Sequence, residues 1–175
     1  MLIFEMLDKA KADTLLPPLF RILYDNMDAI APTGAGFDAD FNEWFGAVRP
    51  AIEKPQRNII LIRRGRSLLG FFQYYVNNTT FMMEELQLIP RAQGTGVFEA
   101  LYEVMRGLVP ESTPFVEAYA HKLNLKSQGI LRHLGLEKIG EENNCLHFRG
   151  SVKGMFDILS KSEVKKPEYQ ALLSR

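Results

Sequence analysis

The sequence predicts a mixed α+β fold, with one sheet of about seven strands and helices packed against it. Two observations carry this prediction. In the middle of the chain, three segments rich in β-branched and aromatic residues are separated by short turn signals, which is typical of an antiparallel meander. Before and after them, apolar residues recur every three or four positions, which is typical of amphipathic helices. The chain has 175 residues, a length that suits a single domain.

The N-terminal third is predicted to contain one strand and two helices. Alternation of apolar and polar residues over 1–7 predicts the first strand. Pro17 and Pro18 are expected to open the first helix, because the missing N–H of proline costs nothing in the first turn. After a loop of small residues at 31–36, apolar spacing predicts the second helix over 41–52.

Strands two, three and four are predicted to form the central meander. They correspond to residues 59–62, 68–76 and 79–89, and the turn signals between them lie at 64–66 and 77–78. Connections as short as these join strands that run antiparallel, whereas parallel neighbours need a long crossover. The three strands should therefore lie side by side in chain order.

The second half of the chain is predicted to alternate between helices and strands. Pro90 ends the fourth strand, and a turn that contains glycine leads into the next helix. A helical crossover is expected to lay the fifth strand parallel to the fourth. The expected elements are a helix at 97–108, a strand at 115–120, a helix at 125–134 that Gly135 ends, and a hairpin of strands at 136–139 and 145–148.

We expect the domain to cover residues 1–150 and a C-terminal helical extension to cover residues 151–175. Val152, Phe156 and Leu159 recur at helical spacing within this extension. Their apolar side chains are expected to pack on the domain or on a partner, such as a second copy of the chain in a homodimer.

Composition and charge argue against several classes of function. The 21 Lys and Arg residues balance the 21 Asp and Glu residues, so no net positive charge favours a nucleic-acid partner. Cys145 is the single cysteine, and three scattered histidines lack the spacing of metal ligands, so we expect no metal. No apolar run reaches about 18 residues, so we expect no membrane partner and a cytoplasmic location.

Residues 86–101 carry the clearest functional signal. A strand leads into a turn with Gly94, Thr95 and Gly96, and a helix begins at Val97. Glycines let the backbone approach a ligand, and the free amides and dipole of a helix N-terminus favour a phosphate group. A plain strand-to-helix turn has the same pattern, so the glycines alone leave both alternatives open.

This stretch resembles the acetyl-CoA motif of the GNAT superfamily of N-acetyltransferases, Val-x-Pro-x-x-(Gln/Arg)-x-x-Gly-x-(Gly/Ala). Leu88, Pro90, Gln93 and Gly96 fit the motif in spacing. Phe98 stands where the family usually has Gly or Ala, so its side chain must point away from the phosphates or reshape the cradle. If the motif is shifted by two residues, so that it reads Arg91-x-x-Gly94-x-Gly96, its glycine positions fit but its proline position does not.

A second stretch downstream is similar to another pattern of the family, Asn-x-x-Ala/Ser followed by a helix and Gly-Phe. It begins at Asn124, continues through Ser127 and ends at Gly135. The resemblance implies that Asn124 binds the pantetheine arm of the cosubstrate. Leu131 stands where many members carry a tyrosine that donates a proton to the leaving thiolate, and leucine has no proton to donate.

The resemblance implies a GNAT-like sheet with helices on both faces over residues 1–149, and acetyl-CoA as the cosubstrate. The residues implied to contact it are Leu88, Ile89, Gln93, Gly94, Thr95, Gly96, Val97, Phe98 and Asn124.

Glu84 is the predicted catalytic base. An amine acceptor with a pKa near 10 must lose a proton before it attacks a thioester. The resemblance implies a base on the fourth strand, four or six positions before Leu88, which corresponds to Glu84 or Met82. Strict alternation gives Glu84 the same face as Leu86 and Leu88, and it gives Glu85 the other face.

Charge on the tetrahedral intermediate is expected to be stabilised by a main-chain amide near Leu88 and Ile89, as the resemblance implies. Tyr119, at the end of the fifth strand, is the predicted acid for the leaving thiolate. A tyrosine that only packs within the sheet would occupy the same position. His121 either faces the acyl group or belongs to a solvated loop.

The expected function is transfer of an acetyl group from acetyl-CoA to a primary amine by direct attack. The acceptor is a small molecule or a protein amine, and the sequence does not separate these. Four aromatic residues in and before the second helix either wall an acceptor pocket or belong to the core, namely Phe37, Phe41, Trp44 and Phe45. The alternative function is a non-catalytic module of the same fold that binds CoA or another protein.

Overall fold

Five α-helices pack against the two faces of a mixed eight-stranded sheet in the computed structural model, which describes residues 1–173. The strands are β1 (Leu2–Met6), β2 (Arg57–Arg64), β3 (Ser67–Val76), β4 (Thr80–Leu88), β5 (Phe115–His121), β6 (Glu137–Glu142), β7 (Cys145–Ser151) and β8 (Tyr169–Leu172). The helices are α1 (Ala12–Asp28), α2 (Phe37–Ala51), α3 (Val97–Arg106), α4 (Leu125–His133) and α5 (Val152–Ser160), and short 3-10 turns cover Lys9–Lys11 and Pro90–Ala92.

The sheet has the order β6-β7-β5-β4-β3-β2-β1-β8. Strands β1 to β4 are successive antiparallel neighbours, so the predicted central meander is confirmed. The crossover through α3 makes β5 parallel to β4, and this predicted pair is also confirmed. Strand β7 lies between β5 and β6 and is antiparallel to both, which confirms the predicted final hairpin.

Apolar side chains on both faces of the sheet create two cores. In β2, Ile59 and Leu61 face the helices α1 and α2, whereas Ile60 and Ile62 face the larger core beneath α3 and α5. This alternation follows from the pleat, which turns successive side chains to opposite faces. Because both faces are covered, the middle of β2, residues 59–62, is a continuous apolar run rather than an alternating one.

The first helix begins earlier than the sequence predicted. It starts at Ala12, so Pro17 and Pro18 lie inside α1 rather than in its first turn. Asp8 caps the preceding 3-10 turn by accepting from the Ala10 amide at 3.1 Å, and buried Ala12 and Leu16 extend the apolar stripe upstream. Burial of that stripe therefore outweighs the local preference of proline for a first turn.

The C-terminal segment differs from the helical prediction in its second half. The helix α5 forms as expected, but residues 169–172 form a strand, β8, parallel to β1. The Leu2 amide donates to the Glu168 carbonyl at 2.7 Å, so the segment supplies partners for an edge that would otherwise have unpaired backbone groups. The division of the chain at residue 150 stays a prediction.

Gly70 of β3 is the tightest backbone contact in the sheet. A Cβ at this position would lie 2.0 Å from the Gln87 carbonyl oxygen and 2.8 Å from Leu88 Cδ2. We expect Gly70→Ala to lower the free energy of unfolding by about 1–3 kcal/mol, because β3 and β4 must separate to make room. Gly46→Ala is the control: no atom lies within 4 Å of a Cβ in that exposed part of α2, and alanine favours the helix. Urea denaturation of both variants measures the difference, and equal stability would contradict the prediction.

Candidate active site

A gap opens between β4 and β5 near the middle of the sheet. The two strands pair over only four positions, from Thr80 with Phe115 to Met83 with Ala118, and then part. Beyond this point the edge of β4 has no neighbouring strand on the β5 side. The gap is therefore the place in the sheet where an extended ligand can lie against main-chain groups.

The sequence predicts one main-chain amide near Leu88 and Ile89 at the reacting carbonyl. The Ile89 N–H donates to the Leu69 carbonyl of β3 at 2.8 Å and so faces away from this gap. Because successive residues of a strand direct their N–H and C=O groups to opposite edges, those of Leu88 point into the gap. The Leu88 carbonyl accepts from Asn26 Nδ2 at 3.0 Å and from Gln93 Nε2 at 2.9 Å.

The glycine turn lies between the end of β4 and the start of α3. Gly94 and Gly96 have φ of 70° and 78°, a conformation that favours glycine. Thr95 Oγ1 donates to the Ala92 carbonyl at 2.8 Å and stabilises the turn, and Val97 is buried beneath it. The first amides of α3 have no carbonyl partner within the helix, so they are available to an anion. No atom lies within 4 Å of a Cβ built on Gly94, so the turn is open there.

Gln93 connects the turn to α4. While its amide nitrogen donates to the Leu88 carbonyl, its Oε1 accepts from Lys126 Nζ at 2.6 Å. A lysine ammonium therefore lies beside the turn, where the positive end of α3 also favours an anion.

Phe98 packs along α3. Its ring centroid lies 4.4 Å from that of Tyr102, one helical turn further on, and the side chain is partly buried against the larger core. The ring is therefore held by side chains of the helix and the core. The sequence left two alternatives for Phe98, and this packing agrees with the first, in which the side chain points away from the phosphates.

Asn124 is the N-cap of α4. Its Oδ1 accepts from the Ser127 amide at 3.0 Å, and within residues 1–173 its Nδ2 makes no hydrogen bond. Leu131, which replaces the tyrosine of many family members, is buried in the larger core.

A β-bulge in β4 brings two carboxylates together. The register with β3 shifts between Gln73 and Tyr74, and Glu84 is the extra residue. Glu84 accepts from Arg57 Nη2 and, at 3.0 Å, from Nε2 of Gln73, whose partner in the register is Glu85. A bulge breaks strict alternation. Glu84 therefore shares a face with Glu85, and the prediction that it shares one with Leu86 and Leu88 is wrong.

Glu85 is held on the face of the sheet that α1 covers. Its Oε1 accepts from Gln87 Nε2 at 2.6 Å, and Gln87 Oε1 in turn accepts from Asn26 Nδ2 of α1 at 2.7 Å. The pKa of Glu85 is raised to about 7, mainly because burial disfavours its charged form; the bond from Gln87 lowers the pKa, and the charge of Glu84 adds to the rise. A carboxyl group with this pKa can accept and release a proton near neutral pH.

Tyr119 lies on β5, one residue beyond the last pair with β4, and its side chain is 45% exposed. Its ring stacks on His147 of β7, with centroids 4.3 Å apart and planes 11° apart. His147 Nε2 lies 2.7 Å from Glu117 Oε2, and Arg149 Nε donates to the other oxygen of this buried carboxylate at 2.8 Å. Sequence reasoning missed Glu117, which lies two positions before Tyr119 on the same strand, and His147, which only the register of β5 with β7 brings to Tyr119.

His121 has a local structural role. Its Nδ1 accepts from the Leu123 amide at 3.2 Å, and its carbonyl accepts from Gln128 Nε2 at 3.2 Å, so the residue organises the turn before α4. The aromatic residues of α2 also have a structural role, because they surround Phe20 at the interface of α1 and α2 with centroid distances of 5.2–5.4 Å. They are Phe37, Phe41 and Trp44, and Phe45 continues the cluster through Phe41.

Other possible sites lie away from the gap. A cavity of about 560 Å³ lies at the opposite end of β4, beside the turn of Asn77, Asn78 and Thr79, and none of the predicted site residues lines it. Among residues 1–173, no cluster of three or more His, Cys, Asp or Glu side chains is arranged to hold a metal ion. Within the same part of the chain, no helix has the length and apolar character needed to cross a membrane.

Solved structures with this architecture are acetyltransferases. Coenzyme A is bound in PaiA N-acetyltransferase from Thermoplasma acidophilum, which is 13% identical with a TM-score of 0.65 over 86% of this chain and 99% of that chain. The N-acetyltransferase PseH of Campylobacter jejuni, in complex with acetyl coenzyme A, is 12% identical with a TM-score of 0.56 over 85% and 99%. A GNAT-family acetyltransferase from Listeria monocytogenes is 10% identical with a TM-score of 0.58 over 86% and 95%.

The chain therefore shares its fold with acetyltransferases whose structures contain coenzyme A or acetyl coenzyme A. More narrowly, the chain has the GNAT fold, as the sequence motifs predicted. No family model matches the sequence, and no curated protein matches it either.

The buried carboxyl of Glu85 predicts how stability depends on pH. Because its pKa rises from 4.5 to about 7 on folding, the folded chain binds this proton more tightly than the unfolded chain does. The free energy of unfolding should therefore fall by at most about 3 kcal/mol as pH rises from 4.5 to 7. We expect Glu85→Gln to remove this contribution and to be the more stable protein at pH 7. Urea denaturation across this pH range is the measurement, and the same pH dependence in both proteins would contradict it.

Proposed function

We propose that this protein transfers an acetyl group from acetyl-CoA to a primary amine. The observation that carries the proposal is the parting of β4 and β5 next to the glycine turn of α3, with two carboxylates at the same level of β4. Binding of coenzyme A or acetyl coenzyme A by structural neighbours supports this cosubstrate. A small-molecule or protein amine as acceptor, a homodimer and a cytoplasmic location stay predictions.

The residues around the gap fit the parts of acetyl-CoA. The turn, which is open at Gly94, and the free amides of α3 suit the diphosphate. The Leu88 carbonyl already accepts from Asn26 and Gln93, so the donor proposed for the pantetheine arm is Nδ2 of Asn124. When bound there, acetyl-CoA supplies the thioester whose carbonyl carbon the amine attacks.

The carboxylates at the bulge are proposed to take the proton of the amine. Glu84, which the sequence predicts as the base, accepts a hydrogen bond at each of its two oxygens, one from Arg57 and one from Gln73. Glu85 has one oxygen engaged by Gln87 and a pKa of about 7. A base works best when its pKa lies near the working pH, which supports Glu85 as the proton acceptor and Glu84 as its neighbour that raises its pKa.

The negative charges that develop on the oxyanion and on the leaving thiolate are proposed to be stabilised by groups on β4 and β5, the two edges of the gap. The Leu88 N–H on β4 is available to the oxyanion, and one such amide contributes roughly 3–4 kcal/mol. Tyr119 on β5 is proposed to protonate the leaving thiolate, because it is exposed at the gap and its ring is fixed by stacking on His147. A thiol with a pKa of about 8.5 leaves with little assistance, so loss of this hydroxyl should slow transfer only modestly.

A non-catalytic CoA-binding module is the second candidate function. The burial of Leu131, where many family members have a proton donor, favours it. Binding of acetyl-CoA without release of CoA thiol in the presence of a broad panel of amines would support this candidate.

A negative charge at the glycine turn should abolish cosubstrate binding. We expect micromolar affinity of the unmodified protein for acetyl-CoA, and at least a tenfold loss in Gly94→Asp, because the carboxylate repels the diphosphate. Gly65→Asp is a matched control, since Gly65 also has positive φ with no atom within 4 Å of a Cβ, but lies in the β2–β3 turn. Calorimetric titration measures both, and an unchanged affinity of Gly94→Asp would contradict the placement of the diphosphate.

The two carboxylates should differ in their effect on the pH profile of acetyl transfer. We expect Glu85→Gln to lower kcat at neutral pH by roughly 10²- to 10⁴-fold and to remove the rise in rate near pH 7. Glu84→Gln should keep that rise but shift it to a lower pH, because the neighbouring charge that raises the pKa of Glu85 is gone. Thiol release measured across pH with a reactive amine distinguishes them. The opposite order of effects would make Glu84 the base.

A further inference from the structure

The segment between α5 and β8 crosses the surface of α3. We call residues 161–168 the C-terminal strap. Lys166 of the strap forms an ion pair with Glu103 of α3, and the Tyr169 hydroxyl donates to the same carboxylate at 3.1 Å. Immediately after the strap, β8 pairs with β1, and the ring of Tyr169 lies edge-on to Phe4 at 5.6 Å. The strap is thus held at α3 and at the edge of the sheet.

The strap touches the glycine turn of the proposed cosubstrate site. A Cβ at Gly96 would lie 2.5 Å from the Lys165 carbonyl oxygen and 3.1 Å from Pro167 Cδ. Gly96 is the N-cap of α3, so the backbone of Lys165 packs directly beside the N-terminus of this helix. The close approach is a second reason, besides a φ of 78°, why glycine is needed here.

Positive charge collects around the N-terminus of α3. The side chain of Lys165 is exposed and takes part in no ion pair within residues 1–173. Arg91 is exposed in the turn itself, and Lys126 bonds Gln93 on the side of α4. Cations are unfavourable at the positive end of a helix dipole unless an anion lies between them. The first turn of α3 also carries Glu99, but the three cations outnumber this carboxylate, and the remaining positive charge favours an anionic ligand.

We propose that the C-terminal strap completes the phosphate half of the cosubstrate site, with Lys165 as an ion-pair partner of the diphosphate. This inference rests on the proposed function, because acetyl-CoA brings the diphosphate to the turn. The backbone contact with Gly96 keeps Lys165 next to the N-terminus of α3, within the reach of a flexible lysine side chain. Lysine binds phosphate as a point charge, without the fixed geometry that arginine requires.

Calorimetric titration of the full chain with CoA tests the role of Lys165. We expect Lys165→Glu to weaken binding at least tenfold and to reduce the dependence of affinity on salt, because an ion pair with the diphosphate is lost. Lys165→Arg should retain both the affinity and the salt dependence. Lys153→Glu is the control of equal charge change: Lys153 is exposed at the start of α5, where the Val152 amide donates to the Pro114 carbonyl, before the N-terminal end of β5.

The same titrations with dephospho-CoA, which lacks the 3′-phosphate, identify the phosphate concerned. We expect an equal loss for both ligands in Lys165→Glu, and a loss confined to CoA would overturn the assignment to the diphosphate. Unchanged or tighter binding in Lys165→Glu would overturn the role of the strap and leave the proposed function intact. Absence of CoA binding by the unmodified chain would overturn both, so the two failures are distinguishable.

Discussion

The proposed site depends on a limit to strand pairing: β4 and β5 are held together over four residue pairs and no further. One residue beyond the last pair, Glu84 interrupts the register with β3. The bulge bends the strand away from its parallel neighbour and turns two carboxylates toward α1. The main-chain donor and the two carboxylates of the proposed site both depend on this bulge and on the early end of the β4–β5 pairing.

Much of the fold was predictable because its signals are local. Runs of β-branched residues with short turns specify a meander, and apolar residues at helical spacing specify the helices that cover it. The start of α1 and the strand β8 were not predictable in this way. Pro17 and Pro18 carry a strong local preference that burial of Ala12 and Leu16 outweighs. The strand β8 forms because β1, near the N-terminus, offers it an edge of the sheet.

The parts of the candidate site that lie within one short motif were predictable from the sequence. The parts that depend on the register of several strands were not. The glycine turn and Asn124 follow from spacing within short segments. The orientation of Glu84 does not, because a bulge depends on the neighbouring strand rather than on the sequence of β4. Likewise, Tyr119 and His147 lie 28 positions apart in the chain and meet only through the register of β5 with β7.

The pairing of β1 with β8 has a consequence for the folding pathway. It joins Leu2 to Tyr169, almost the full described length of the chain, so its loop-closure entropy is large. Contacts of this separation form late, whereas the meander can nucleate from neighbours in sequence. We therefore expect a late step in refolding, in which β8 pairs with β1 after the other seven strands have formed the sheet. Until then the turn at Gly96 lacks the backbone that packs against it.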